Sequence, residues 1–210
     1  MAVTNRTARA VFVDKDGTLI QNIPYNVDPA RIVLAPGAVD ALRALASAGY
    51  LIVVVSNQSG VARGLFDVSR LADVERALRD LLSHEGISLH GFYVCPHLPG
   101  GSVAEYAIAC ECRKPAPGLL LRAADELRID LHRSWMVGDI LDDVEAGRVA
   151  GCRTVFVDVG NETEWVRSPA REPDHVAFDL AAAVEAILTA RDVRSRPSRA
   201  ASTAGVGAVR

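Results

Sequence analysis

The sequence predicts an α/β fold, a doubly wound parallel sheet arranged as a Rossmann-like three-layer sandwich. Three observations lead there. Short apolar runs alternate with segments of helical period from Val11 to Ala190. The run Leu51–Val55 is apolar at every position, the pattern of a parallel strand covered on both faces. Polar clusters follow several of the strand runs, at the carboxyl ends where open α/β sheets place their ligands.

Taken in order, Val11–Val13 is the first strand. Pro36-Gly37 opens a helix through Ala48 that buries Val39, Leu42, Leu45 and Ala46, and Gly49 stops it. Leu51–Val55 follows as a strand. Ser69 is the expected N-cap of a helix with Leu71, Val74, Leu78, Leu81 and Leu82 on one face. Phe92–Val94 is a short strand, and Pro117-Gly118 starts a helix to about Leu127. Trp135–Val137 is a strand, Asp142–Ala150 a helix ended by Gly151, Thr154–Val157 a strand, and Leu180–Ala190 the last helix. From Arg191 the composition turns to Arg, Ser, Ala and Gly without periodicity. Residues 1–190 therefore read as one domain and residues 191–210 as a disordered tail.

Composition narrows the function. The chain has 210 residues, half of them apolar, which suffices for one good core. A net charge of −3 gives no electrostatic case for nucleic acid or an acidic membrane surface. The first ten residues lack the apolar segment of a signal peptide, and Leu51–Val55 is far too short to span a bilayer. Four cysteines without an export signal point to a reducing compartment and to metal or redox use. A cytoplasmic protein is expected. Nothing in the sequence argues for an oligomer, so a monomer is the default.

The chemistry-bearing motifs sit at strand ends. In Asp14-Lys15-Asp16-Gly17-Thr18 two acids stand at i and i+2, and a regular strand would set them side by side. That is costly unless a cation or a shared proton intervenes. Alone, the motif could equally be a polar strand end entering a turn. Ser56-Asn57-Gln58-Ser59-Gly60 offers a hydroxyl, amides and a glycine suited to cradling an anion, although such residues also build ordinary turns. Arg113-Lys114-Pro115 puts two cations near a helix N-terminus, which is unfavourable unless an anion lies there. Gly138-Asp139 supplies a third strand-end carboxylate, and Asp142-Asp143 opens the next helix, where acids also complement the dipole. Combined, these are a carboxylate nucleophile, an oxygen-rich site suited to Mg²⁺, and donors for phosphoryl oxygens. Phosphoryl transfer through an aspartyl-phosphate requires those parts.

A second constellation is Cys95-Pro96-His97 with Cys110-Glu111-Cys112, separated by twelve residues. Three thiolates and an imidazole form a closed tetrahedral Zn²⁺ set with no position left for a catalytic water. The ligands flank Leu98-Pro99-Gly100-Gly101, a stretch with no core of its own, whereas Cys152 has no partner motif and is expected in the core. One helical unit fits between Asp16 and Ser56, and a helix, a strand and this zinc-binding loop fit between Ser56 and Lys114. That leaves no room for a large cap domain, so loops must select the substrate.

The four strand-end motifs resemble those of the haloacid dehalogenase superfamily, mostly phosphatases, from Val11 to about Val159. The resemblance implies Asp14 as the nucleophile and Asp16 as the general acid and base. It implies that Ser56 and Lys114 bind the phosphoryl group. Asp139 becomes the distal Mg²⁺ ligand beside Asp14 and the main-chain carbonyl of Asp16, with Asp143 acting through water. With the zinc motif added, the chain is similar to a capless subgroup that contains the D-glycero-D-manno-heptose 1,7-bisphosphate 7-phosphatases and the histidinol-phosphate phosphatases. The long gap between the zinc-ligand pairs matches the heptose enzymes, and a histidinol-phosphate phosphatase is the alternative. Likeness to the heptose group implies that Asn57, Gln58, Ser59 and Arg113 contact substrate and that the loop around Asn22 and Tyr25 helps bind a small sugar phosphate. One departure is Ile140, which stands where those enzymes can carry a substrate-touching lysine. A receiver-like module with a phosphorylated aspartate is disfavoured by Asp16, since a second acid beside the nucleophile serves to hydrolyse the acyl phosphate.

Overall fold

In the first strand, β1 (Arg9–Val13), Val11 and Val13 join the apolar cluster on one side of the sheet and Ala10 and Phe12 the cluster on the other. A strand apolar at both phases of its period of two can only be interior. The computed structural model describes residues 7–190 and places β1 between β2 (Tyr50–Asn57) and β4 (Trp135–Gly138). Phe12 is in register with Val53 on one neighbour and Met136 on the other. The six strands follow the order β3-β2-β1-β4-β5-β6 and every pairing is parallel. Here β3 is Gly91–Cys95, β5 is Arg153–Val157 and β6 is His175–Ala177.

The helices α1 (Ala38–Ser47), α2 (Arg70–His84) and α5 (Leu180–Thr189) cover one face, through Leu42, Leu45, Leu78, Leu82, Val184 and Ile187 among others. α3 (Gly118–Leu127) and α4 (Leu141–Ala150) cover the other through Leu119, Leu120, Ala146 and Ala150. The expected three-layer sandwich is present. The chain order of strands reverses between β1 and β4, which opens a crevice at their carboxyl ends, the usual ligand site of such sheets.

Three local expectations are corrected. Ala46 is exposed, because the buried face of α1 is formed by Ala38, Ala41, Leu42 and Leu45. Ser69 precedes α2 with helical dihedrals and makes no side-chain cap bond. Instead Asp67 Oδ1 accepts the Ser69 N–H at 2.8 Å, so the capping carboxylate lies two residues earlier. β6 has no counterpart in the sequence reading, because three residues beginning with His175 carry no periodic signal of their own. It exists through its pairing with β5. Cys152 is buried in the second core, as expected. No helix among the described residues is long and apolar enough to cross a membrane. The expected tail at 191–210 lies outside the described residues.

Candidate active site

Asp14 is the first residue past β1, and its N–H still bonds the Val137 carbonyl of β4 at 2.9 Å. The side chain is thereby fixed at the switch point. Gly17 then turns the chain with φ +89, and a Cβ there would stand 2.2 Å from Asp139 Oδ2. Glycine is required twice over, for the dihedral and for the close approach of Asp139. Gly138 at the end of β4 plays the same part for Asp143, whose Oδ2 would lie 2.2 Å from an added Cβ.

These turns bring Asp14, Asp139 and Asp143 together, with one carboxylate oxygen of each within 4.8 Å of the others and all three side chains buried. Lys114 reaches into the same space. Its Nζ donates to Asp14 Oδ1 at 2.5 Å and to the Val55 carbonyl at 2.9 Å. The same Nζ is ion-paired with Asp143 Oδ1 at 2.6 Å. Asp143 Oδ2 accepts the Ile140 N–H at 3.3 Å at the start of α4.

The electrostatics are strained toward a cation. Burial pushes the Asp14 carboxyl up to about 7, with the Asp143 and Asp16 charges adding to burial and Lys114 opposing it. Burial and the neighbouring Asp14 raise Asp139 to about 6, against a hydrogen bond from Asn161. Lys114 is also buried, which alone would lower its pKa. The Asp14 and Asp143 carboxylates override that and raise it, so the side chain is an ammonium. Three carboxylates against one ammonium sum to −2 in a buried space. A divalent cation with oxygen ligands fits this donor set.

The second acid is held apart from this cluster. Asp16 Oδ1 accepts from Lys15 Nζ at 2.7 Å and Oδ2 from Gln58 Nε2 at 2.9 Å, and its side chain remains 29 % exposed. Gln58 Nε2 also donates to Ser56 Oγ at 2.9 Å, linking the acid to the hydroxyl at the end of β2. Asn57 is turned to the main chain of Lys114, donating to its carbonyl and accepting its N–H, both at 3.0 Å. Asn57 thus fixes the lysine that its own motif faces. Ser59 is half-buried in the following turn.

Several participants escaped the sequence reading. Asn161 Nδ2 donates to Asp139 Oδ2 at 2.6 Å, beside the Thr18 hydroxyl at 3.2 Å from Oδ1. Glu162 Oε2 accepts the Leu141 N–H at 2.6 Å and caps α4. Both follow the carboxyl end of β5, and that position is the signal that could have found them. Among the residues expected near the sugar, Asn22 Nδ2 donates to Asn161 Oδ1 at 3.4 Å. Tyr25 is exposed, with φ 56, and the Arg63 guanidinium lies 5.9 Å from its ring centroid. Arg113, expected to contact substrate, donates from Nη1 to the His97 carbonyl at 3.3 Å, which couples it to the second constellation.

That constellation is assembled as expected. Cys95 ends β3, and the loop after it folds back so that Cys112 Sγ lies 3.1 Å from Cys95 Sγ and 3.3 Å from Cys110 Sγ. His97 Nδ1 is 3.3 Å from Cys112 Sγ and 3.6 Å from Cys95 Sγ. Thiolates about 2.3 Å from one zinc would stand roughly 3.8 Å apart at the corners of a tetrahedron, slightly wider than these separations. All the cysteines are free thiols. Burial and the facing thiols push the Cys95 thiol far up, so a thiolate there requires a cation beside it. The set fits a structural Zn²⁺.

A HAD-hydrolase-like family model matches residues 111–183. The chain is 42 % identical over 152 residues to a D-glycero-beta-D-manno-heptose-1,7-bisphosphate 7-phosphatase of Yersinia pestis, covering 72 % of this chain and 81 % of that one. A HAD-like protein from Mesorhizobium loti superposes with a TM-score of 0.74 at 36 % identity, covering 92 % of this chain and 93 % of the other. The D,D-heptose 1,7-bisphosphate phosphatase of B. bronchiseptica, solved with magnesium and phosphate, superposes with a TM-score of 0.71 at 32 % identity, covering 86 % and 98 %. With its acids and lysine gathered at the switch point of a parallel sheet, this chain belongs to the haloacid dehalogenase superfamily of hydrolases.

Proposed function

We propose that the protein is a phosphatase that removes the 7-phosphate of D-glycero-β-D-manno-heptose 1,7-bisphosphate and releases the 1-phosphate. The observation that carries the reading is the buried group of Asp14, Asp139, Asp143 and Lys114 beside the separately held Asp16. The substrate follows from the well-covered relatives named for it and from the long gap between the zinc-ligand pairs.

Asp14 and Asp139, with the Asp16 carbonyl and Asp143 through water, would hold Mg²⁺. When bound, the ion neutralises the buried carboxylates and draws charge from phosphoryl oxygens. The remaining work falls to the chain. Asp14 attacks phosphorus in line, and the bond to the sugar oxygen breaks as Asp16 protonates that leaving oxygen. Asp16, now a base, takes a proton from water, which attacks the aspartyl-phosphate and frees Asp14. Gln58 and Lys15 orient Asp16 for both steps through their bonds to its two oxygens. The Lys114 ammonium and Ser56 hydroxyl meet phosphoryl oxygens. Tyr25 and Asn22 border the sugar, and the Arg63 guanidinium lies beside the Tyr25 ring.

The test is phosphate release from the bisphosphate with and without Mg²⁺. Activity is expected only with the ion, and Asp14→Asn is expected to lose it by at least about a thousandfold. Wild-type rates in that variant, or in the presence of a chelator, would overturn the mechanism.

A further inference from the structure

At the amino ends of the strands, opposite the catalytic carboxylates, three arginines line one pocket with no carboxylate partner among the described residues. Arg9 opens β1, Arg153 opens β5, and Arg133 stands in the turn before β4. With His132 they line a pocket of about 170 Å³ whose wall, among the described residues, contains no Asp or Glu.

Two of these guanidinium groups lie against aromatic faces. Arg9 Cζ is 4.1 Å from the centroid of the Tyr50 ring, and Arg153 Cζ is 4.0 Å from that of Trp135. Both rings are buried, so the guanidinium planes are fixed. Stacking engages the face of the group and leaves the in-plane N–H donors free for a ligand. Few of those donors are used. Arg9 gives one N–H to the Ala48 carbonyl at the end of α1, and Arg153 makes a 3.5 Å contact with His175 Nε2. Among the described residues the Arg133 side chain has no hydrogen bond or ion pair. Each guanidinium carries five donors, so most remain available. The flanking acids are committed elsewhere, Asp174 to the Thr154 N–H at 2.8 Å and Asp130 to the His132 N–H at 3.1 Å.

Uncompensated like charges lining a concavity focus a field on it, and the rest of this chain is net acidic. The pocket is also well below the roughly 300–1,000 Å³ usual for drug-sized ligands. We propose that this pocket binds a small polyanion, a metabolite with two or more phosphate or carboxylate groups, at a site separate from the catalytic centre. Preset planar forks are suited to paired oxyanion oxygens. The inference does not depend on the substrate assigned to the catalytic site.

Titration calorimetry on the full chain in Mg²⁺-free buffer tests this, with pyrophosphate and citrate as probes. At least one probe is expected to bind with a Kd of about 1 mM or tighter. Binding of pyrophosphate alone would identify a phosphate-bearing ligand, and binding of both a polyanion of either kind. Arg133→Glu and Arg153→Gln are each expected to weaken binding by at least about tenfold. Turnover of a chromogenic phosphomonoester should stay unchanged, because neither residue is near the catalytic acids. Absence of binding by both probes, or binding unaltered in both variants, would overturn the proposal. The unaltered case would place the anion in the catalytic site.

Discussion

At the scale of single residues, the site depends on how close the chain can bring carboxylates to one another. Gly17 is the tightest point, since its φ of +89 and the Asp139 oxygen 2.2 Å from an added Cβ both exclude a side chain. Gly17→Ala is expected to cost about 1–3 kcal/mol, read as a lower urea midpoint, and to reduce Mg²⁺-dependent activity by displacing Asp139. An unchanged midpoint and rate would show that the turn is not held as described. Titration gives a second prediction. Asp14 at about 7 and Asp139 at about 6 stand above their ordinary values. Between pH 4 and 7 the folded, metal-free chain therefore binds more protons than the unfolded chain, and its stability falls as pH rises through that window. Mg²⁺ displaces those protons, so the rise in Tm on adding Mg²⁺ should be larger at pH 8 than at pH 5. An increment independent of pH would contradict the assignment of these acids to the cation. The residues of the motifs were legible because each departs from what a plain strand end needs. Asn161 and Glu162 were not, since a lone amide and a lone acid in a loop carry no pattern until β5 places them.

Among the elements, the loop between β3 and α3 has the most to do with function. It begins at Cys95, closes on Cys110 and Cys112, and delivers Lys114 directly into the site. Gly118, at the start of α3, packs so tightly that an added Cβ would lie 2.2 Å from the Glu111 carbonyl. The loop thus has two anchors, the thiolate cluster and this backbone contact. Metal analysis of protein purified without chelator should give about one zinc per chain, and Cys112→Ser should abolish it and lower Tm. Zinc-free wild-type protein of unchanged Tm would remove the cluster from the account. Strands and helices with strong apolar runs were readable at nearly their true limits, as Leu51–Val55 within β2 and Leu180–Ala190 around α5 illustrate. The failures have physical causes. β6 is stabilised by pairing rather than composition, and at the start of α2 the capping acid lies two residues before the serine that resembles a cap.

At the scale of the whole molecule, the sheet divides chemistry between its two ends. The carboxyl ends of β1, β2 and β4 deliver Asp14, Ser56 and Asp139 to one crevice, while their amino ends present Arg9, Tyr50 and Trp135 to the cationic pocket. With no large cap over the crevice among the described residues, we propose that the loops carrying Asn22, Tyr25 and Arg113 choose the substrate. Motif spacing placed the catalytic residues at the carboxyl ends of the strands, but which side chains meet one another was not legible, nor was the pocket at the amino ends. Asn57 is the example, since its amide is spent on the Lys114 main chain. The most direct measurement is kcat/KM for phosphate release from the β and α anomers of D-glycero-D-manno-heptose 1,7-bisphosphate and from histidinol phosphate, each with Mg²⁺. The account predicts the β anomer preferred over histidinol phosphate by at least about a hundredfold, near 3 kcal/mol of transition-state discrimination. Faster turnover of histidinol phosphate would contradict the substrate assignment while leaving the aspartyl-phosphate chemistry in place.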